Sequence, residues 1–348
     1  MNGRWFYGIL FVLVAGLSAA SLYIYDVLMQ PNGNDSSQVV TITPGSALYP
    51  VLRGLERDGT IKDARVARWY ARAAGLEGIR AGEFEVPATA TLVDILRLFN
   101  SDAVLQYQVT LVEGLTARDY IDLLKQQPKL RSVINDWTPE QLLAAIGATE
   151  THLEGLFAPE TYSYTAGSTD IDILKQAYKR QVAILDTAWA GRAKDLPLKT
   201  PYEALVLASV IEKETGQASE RPDIAGVFVR RLQQGIRLQS DPTTIYGIGP
   251  DFDGNLTRKH LRTPNDHNTY AMFGLPKTPI ANPGAAAINA ALHPADGSSL
   301  FFVAKGDGSH QFSTTLEAHN QAVLQYQRYG RRSDYQSSPT STATDESR

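Results

Sequence analysis

The chain has 348 residues, of which 43% are hydrophobic and 20% charged, with a formal net charge of −4 at pH 7. That length buries more than one core, and the acidic balance excludes a basic nucleic-acid binder; no nucleic-acid partner is expected. With no cysteine in the chain, disulfides, thiolate metal sites and a cysteine nucleophile are excluded.

The first element is apolar. From Trp5 to Tyr25, WFYGILFVLVAGLSAASLYIY runs for 21 residues without a charge. As a helix it spans about 31 Å, the thickness of a bilayer's hydrocarbon core. Trp5, Phe6, Tyr7, Tyr23 and Tyr25 mark its two ends, Arg4 precedes it and Asp26 follows. Aromatic rings favour the interface and a positive flank stays cytoplasmic. Residues 1–29 therefore read as a single-pass inner-membrane anchor with the N-terminus inside and the rest of the chain in the periplasm. Ser18-Ala19-Ala20 also resembles the cleavage site of a signal peptide, but the apolar stretch continues past it and exceeds an h-region of about 7–15 residues.

Residues 30–38 are a polar linker and residues 333–348 a tail too poor in apolar residues to fold. Between 39 and 127 one pattern recurs three times, in VVTITPGSALYPVLRGLERDG, GEFEVPATATLVDILRLFNSD and YQVTLVEGLTARDYIDLLKQQ. Each copy has an alternating strand, a Gly- or Pro-containing turn with a Ser/Thr cap, and a short amphipathic helix. The first two resemble halves of LysM-like modules, which implies binding of a glycan backbone; the same pattern is also common in α+β domains at large. Helical periodicity follows in TPEQLLAAIGA (138–148) and in residues 168–193, which open on an S/T-D cap. After residue 236 Pro, Gly, Asn and Tyr multiply, as in long loops that carry binding residues.

PYEALVLASVIEKETG (201–216) reads as one helix, with Pro201 at its first position, Glu203 in the first turn and Gly216 at its end. Leu205, Val206, Leu207, Ala208, Val210 and Ile211 go nearly all the way round, as in a buried helix. Glu212 and Glu214 then point about 160° apart and cannot act as a close pair on one face. Glu214 projects from the sector of Leu207, Val210 and Ile211, whereas Glu212 lies beside Leu205, Ala208 and Ser209. An apolar flank raises a carboxyl's pKa, the condition for a general acid near neutral pH. The alternative is that both glutamates pair with Lys213, Arg221, Arg230 or Arg231 at a helix end.

EGLFAPETYSYT, the run ETGQASERPDIAGVFVRRLQQGIRLQSDPTTIYG, the NTY, GLP and PIANPG segments and LFFVAKGDGSHQFSTTLEAHN occur in order. Together they closely resemble the YceG-like family of membrane-anchored endolytic murein transglycosylases, strongly over residues 154–320 and loosely before. The resemblance implies cleavage of the β-1,4 bond between N-acetylmuramic acid and N-acetylglucosamine without water, leaving a 1,6-anhydro end and terminating nascent peptidoglycan strands. It implies no cofactor, and peptidoglycan synthases as partners. In the E-K-E-T motif the catalytic glutamate is the second, Glu214, and Glu212 falls to structure beside an arginine. Glu160, Thr215, Glu220, Gln239, Asp241, Tyr246, Asn268, Tyr270, Asn282 and His310 fall at motif positions expected to line or build the glycan groove. Asp241 and Glu160 are also candidates for a second carboxylate, which a hydrolytic muramidase would need; a binding scaffold without activity is the third reading.

GLPKTPI stands where relatives often read GLPPGPI, placing Lys277 and Thr278 in that loop. His310 and His319 lack a third ligand at metal spacing and no H-E-x-x-H occurs, so no metal site is expected. The expected fold is α+β: an N-terminal transmembrane helix, a LysM-like α/β region over 39–150, and a catalytic α+β domain with a buried catalytic helix over 151–332.

Overall fold

The computed structural model describes residues 3–33 and 35–329; the expected tail at 333–348 lies outside the described residues. Two compact units result, the first holding residues 1–108, 128–131 and 163–168, the second 109–127, 132–162 and 169–348. The first change from one unit to the other falls at 108/109.

The first unit opens with α1 (Gly3–Met29), whose Trp5–Met29 stretch is long and apolar enough to cross a membrane. Its C-terminal end enters the fold, with Val27 and Leu28 buried among core residues of the unit, Ile24 packed against them and the Tyr23 hydroxyl bonded to Asp63 at 3.1 Å. β1 (Gln38–Ile42), α2 (Leu48–Arg57), α3 (Ala64–Ala74), β2 (Gly82–Val86) and α4 (Leu92–Asn100) follow, and β3 (Gln106–Thr110) leads into the second unit. β1 pairs antiparallel with β2, from Gln38 opposite Val86 to Ile42 opposite Gly82. Alternation along β2 turns Phe84 and Val86 inward onto Leu52, Leu55, Ile95, Leu96 and Phe99, and the Phe84 and Phe99 rings lie 5.3 Å apart.

The helix starts follow local chemistry. Thr91 caps α4 and Thr116 caps α5 (Ala117–Lys125), each trading bonds with the aspartate three residues on. The first copy of the repeat departs from this: Ala47 holds the cap position of α2, and Ser46 turns its hydroxyl to Thr43 at 2.7 Å instead.

The second unit continues with α6 (Pro139–Ile146), α7 (Asp170–Ala190), α8 (Pro201–Glu214) and α9 (Arg221–Gln233); β4 (Thr161–Thr165), which pairs with β3, has its first two residues in this unit and its last three in the first. The region read as long loops after residue 236 holds short helices and a hairpin: α10 (Asp241–Ile248), α11 (Arg258–Arg262), α12 (Ala285–Leu292), β5 (Phe301–Ala304), β6 (His310–Ser313) and α13 (Leu316–Val323). Its helices have five or eight residues, too few for periodicity to register, while residues 263–284 form the long irregular stretch that the composition pointed to. β5 and β6 pair antiparallel, Ala304 opposite His310.

α8 is the axis of this unit. Thr200 caps it, accepting from Glu203 N, and Pro201 occupies the first position. Every residue from Ala204 to Ile211 is buried, against α7, α9, α10 and α12. Ala287, Ala290 and Ala291 keep the facing side of α12 small, which lets the two helices approach. Each fully buried Leu, Val or Ile contributes about 1.5–3 kcal/mol, so the helix that ends at Glu214 is held firmly from behind.

Candidate active site

α8 stops at Glu214, two residues before Gly216, because Thr215 turns extended (φ −145°, ψ 133°) and its buried hydroxyl accepts from Gln217 N at 2.9 Å. Thr215 thus seals the helix end. Beyond it opens a cavity of about 680 Å³, lined by Glu214, Arg231, Gln239, Asp241, Tyr270 and His310 among polar groups and by Phe301, Phe302 and Ile245 among apolar ones. That volume falls within the range of about 300–1,000 Å³ usual for ligand sites.

Glu214 as a whole is half-buried, but its Oε1 is sealed from solvent and has no hydrogen-bond partner among the described residues. Burial pushes its pKa from 4.5 up to about 7, and the charge of Asp241 adds to the shift. Ser240 and the Arg231 guanidinium pull the other way. The Ser240 pull is weak, since its hydroxyl is itself sealed and without a hydrogen-bond partner among the described residues. Burial decides: Glu214 keeps its proton up to neutral pH.

Two loops bring the remaining groups to the cavity. Gln239 sits in the left-handed region at φ 53°, a conformation costing a non-glycine residue on the order of 1–2 kcal/mol. Its N–H donates to Thr269 O at 3.2 Å, and Ser240 N to Thr269 Oγ1 at 3.0 Å, which stitches the 239–241 turn to the 268–270 turn. Asn268, fully buried, holds the second turn. Its amide donates to the carbonyls of His260, Leu261 and Thr263 and its Oδ1 accepts from Thr244 and Tyr270 N. Tyr270 donates its hydroxyl to Asp241 Oδ1 at 2.7 Å.

On the other wall, His310 is buried and gives both its N–H (2.9 Å) and its Nδ1 (2.7 Å) to the carboxyl of Glu220. A carboxylate on Nδ1 fixes the tautomer and leaves Nε2 as the ring's other polar end. Glu220 therefore stands behind His310 rather than among the cavity-lining residues.

Glu214, Gln239, Asp241, Tyr270 and His310 thus share one cavity, with Thr215, Glu220 and Asn268 behind them. Three other motif residues lie elsewhere. Glu160 is on the surface, paired with Arg180 at 2.9 Å. Tyr246 and Asn282 meet at a buried carboxyl, Glu154, which accepts from Tyr246 Oη at 3.1 Å and from Ala117 N at 2.9 Å, with Asn282 Nδ2 at 3.5 Å. Burial pushes Glu154 up to about 7 as well. Glu212, on the far side of α8, accepts from Arg221 at 3.1 Å and from Gly284 N at 2.9 Å. Lys277 pairs with Asp266 at 2.9 Å and the Thr278 hydroxyl lies 2.9 Å from His267 Nε2.

Sequence reasoning missed Arg231 as a cavity residue. Its guanidinium is buried, donates to the carbonyls of Leu300, Arg237 and Leu238, and lies over Phe301 at 5.1 Å. It missed His319 too, whose ring stacks on Phe301 at 5.2 Å and which burial holds below the usual imidazole range. Only the RR doublet in α9 signalled the first. Among the described residues no three His, Asp or Glu are grouped to hold a metal ion.

Comparison with known proteins gives consistent relatives. The model of the YceG-like family matches residues 40–325. The endolytic murein transglycosylase of Bacillus subtilis (strain 168) is 30% identical over 319 residues, 86% of this chain and 88% of that protein. The endolytic murein transglycosylase of Streptococcus pneumoniae is 23% identical over 355 residues, covering 90% of this chain and 64% of the streptococcal one. A crystal structure of a YceG-like protein from Listeria monocytogenes matches with a TM-score of 0.53 at 26% identity, covering 83% of this chain and 99% of that one.

Proposed function

The chain belongs to the YceG-like family, and from that premise we propose that it is a membrane-anchored endolytic murein transglycosylase with Glu214 as both acid and base. The observation that carries the assignment is a carboxyl with one sealed oxygen, at the end of a fully packed helix, facing the cavity.

In the first step Glu214, protonated, gives its proton to the bridging oxygen as the bond from muramyl C1 breaks. In the second the resulting carboxylate takes the proton of the muramyl C6 hydroxyl while that oxygen bonds to C1. Proton and electrons balance, no water enters, and a 1,6-anhydro end is left. One carboxyl suffices. Asp241 opposes loss of the proton from Glu214 and Arg231 favours it, so the two set its acidity from opposite sides. Gln239, Tyr270 and His310 supply amide, hydroxyl and imidazole groups suited to sugar hydroxyl and acetamido substituents. Thr215, Glu220 and Asn268 position the walls. Tyr246, Asn282 and Glu160 serve at a distance from the cavity, the first two around Glu154.

α1 is long and apolar enough for a single-pass anchor, and on this reading the N-terminus lies in the cytoplasm and the chain that follows the anchor in the periplasm. Residues 38–86 close as one βααβ unit through β1 and β2, which supports a LysM-like glycan-holding role for the region 39–150, ahead of a catalytic region over 151–332. Release of nascent strands would end their elongation and place the protein beside the peptidoglycan synthases.

Asp241 in the same cavity favours one rival, a hydrolytic muramidase, whose products weigh one water more. Purified sacculi separate the two readings. The unaltered chain is expected to release 1,6-anhydromuropeptides and Glu214→Gln none; full release by that variant would refute the assignment.

A further inference from the structure

Phe273 follows directly on the turn that Asn268 holds, where Ala271 N and Met272 N both donate to Asn268 O at 3.0 and 3.1 Å. It is nonetheless 65% exposed. The Arg237 guanidinium covers one side of its ring, with Cζ 4.6 Å from the centroid. Arg237 is exposed and makes no ion pair among the described residues. An anchored turn that holds a phenyl ring in water, under a cation with no ion pair among the described residues, gives the fold nothing that burial would not give better.

The position of the pair supplies a reason. Arg237 is two residues before Gln239 and its carbonyl accepts from Arg231; Phe273 is three residues after Tyr270. Gln239, Arg231 and Tyr270 all line the Glu214 cavity, and the two turns are bonded through Thr269. The ring and the cation are therefore carried by the two bonded turns that supply Gln239 and Tyr270 to the cavity, on a fixed support. An endolytic reaction cuts inside a strand, so sugar units must continue past the cleaved bond and out of the cavity. The C–H face of a pyranose stacks on an aromatic ring, and a guanidinium fork fits the free carboxylates of peptide stems.

Resting on the reading of the cavity as a murein-cleaving site, we propose that Phe273 and Arg237 form an outer subsite that holds an uncleaved unit of the strand, its sugar face on the ring and a stem carboxylate on the guanidinium. This pair selects for length and for stem-bearing strands, whereas Glu214 performs the cleavage.

The test uses the full chain in detergent with two substrates, stem-bearing strands and the same strands with their stem carboxylates converted to methylamides. Phe273→Ala is expected to raise KM about tenfold on both substrates while kcat stays within about twofold. Arg237→Gln is expected to raise KM several-fold on strands with free stem carboxylates only. KM unchanged in Phe273→Ala overturns the subsite, and an equal rise on amidated strands in Arg237→Gln overturns the carboxylate contact. Failure of the parent reading looks different: the unaltered chain would release no anhydro product from either substrate.

Discussion

Replacing Glu214 by Gln should make the protein more stable, and only above a definite pH. The carboxyl ionises at 4.5 when free and at about 7 in the fold, so the folded state binds the extra proton between those limits. Stability then falls as pH rises from 4.5 through 7, because the unfolded chain ionises first and the fold must later hold a charge in a sealed place. A tenfold change in an ionisation constant is worth about 1.4 kcal/mol, which makes the full penalty about 3 kcal/mol. Gln carries no charge at any pH. The difference in unfolding free energy between variant and unaltered chain should therefore be flat near pH 4, grow through pH 5 and 6, and level off above pH 7 with the variant ahead by about 3 kcal/mol relative to its pH 4 offset. Glu154 titrates in both proteins and cancels. Urea unfolding of the two chains in detergent from pH 4 to 9 measures it, and the same protonation predicts cleavage that declines above pH 7. A difference independent of pH would refute the sealed-carboxyl argument, since it would mean that Glu214 ionises in the fold as it does in water.

Other consequences are local. Asn268→Ala leaves the carbonyls of His260, Leu261 and Thr263 without their amide donor, at a cost of about 3 kcal/mol or more; an unchanged melting temperature would contradict this. Gly155 has φ 80° and a methyl there would meet Pro279 at 2.6 Å, whereas Gly147 has φ 77° and nothing within 4 Å. Gly155→Ala should therefore cost several kcal/mol and Gly147→Ala only about 1, and equal losses in thermal denaturation would show that the contact does not matter. Tyr270→Phe removes the hydroxyl that Asp241 accepts from, leaving its charge less compensated. The alkaline limb of the pH–rate profile should move up by a few tenths of a pH unit, about the size of a weak charge effect; a downward move would reverse the proposed sign.

What could be read beforehand was what depends on neighbours along one helix. The wrap of Leu207, Val210 and Ile211 around α8 pointed to Glu214 as the carboxyl with the apolar flank, and the opposite sector to Glu212, which Arg221 pairs. Caps were legible where the side chain sits three residues from its partner, as at Thr91 and Thr116. Long-range pairing was not. Glu220 and His310 are 90 residues apart, and no spacing announces that one orients the other. In EGLFAPETYSYT the eye falls on Glu160, but the buried carboxyl is Glu154, because Ala117, Tyr246 and Asn282 reach it from distant parts of the chain. The third strand-cap-helix copy looks like the other two, yet its α5 packs on α7 in the second unit. Local pattern specifies an element; tertiary contacts choose its company.

In the proposed reaction the C6 hydroxyl, and not water, takes the place of the leaving sugar. Cleavage of defined glycan strands in water enriched with heavy oxygen tests it directly by the mass of the new muramyl ends. The expected ends are anhydro and carry no heavy oxygen. Ends one water heavier and bearing the label would contradict it and assign to Asp241 the part of a hydrolase's second carboxylate.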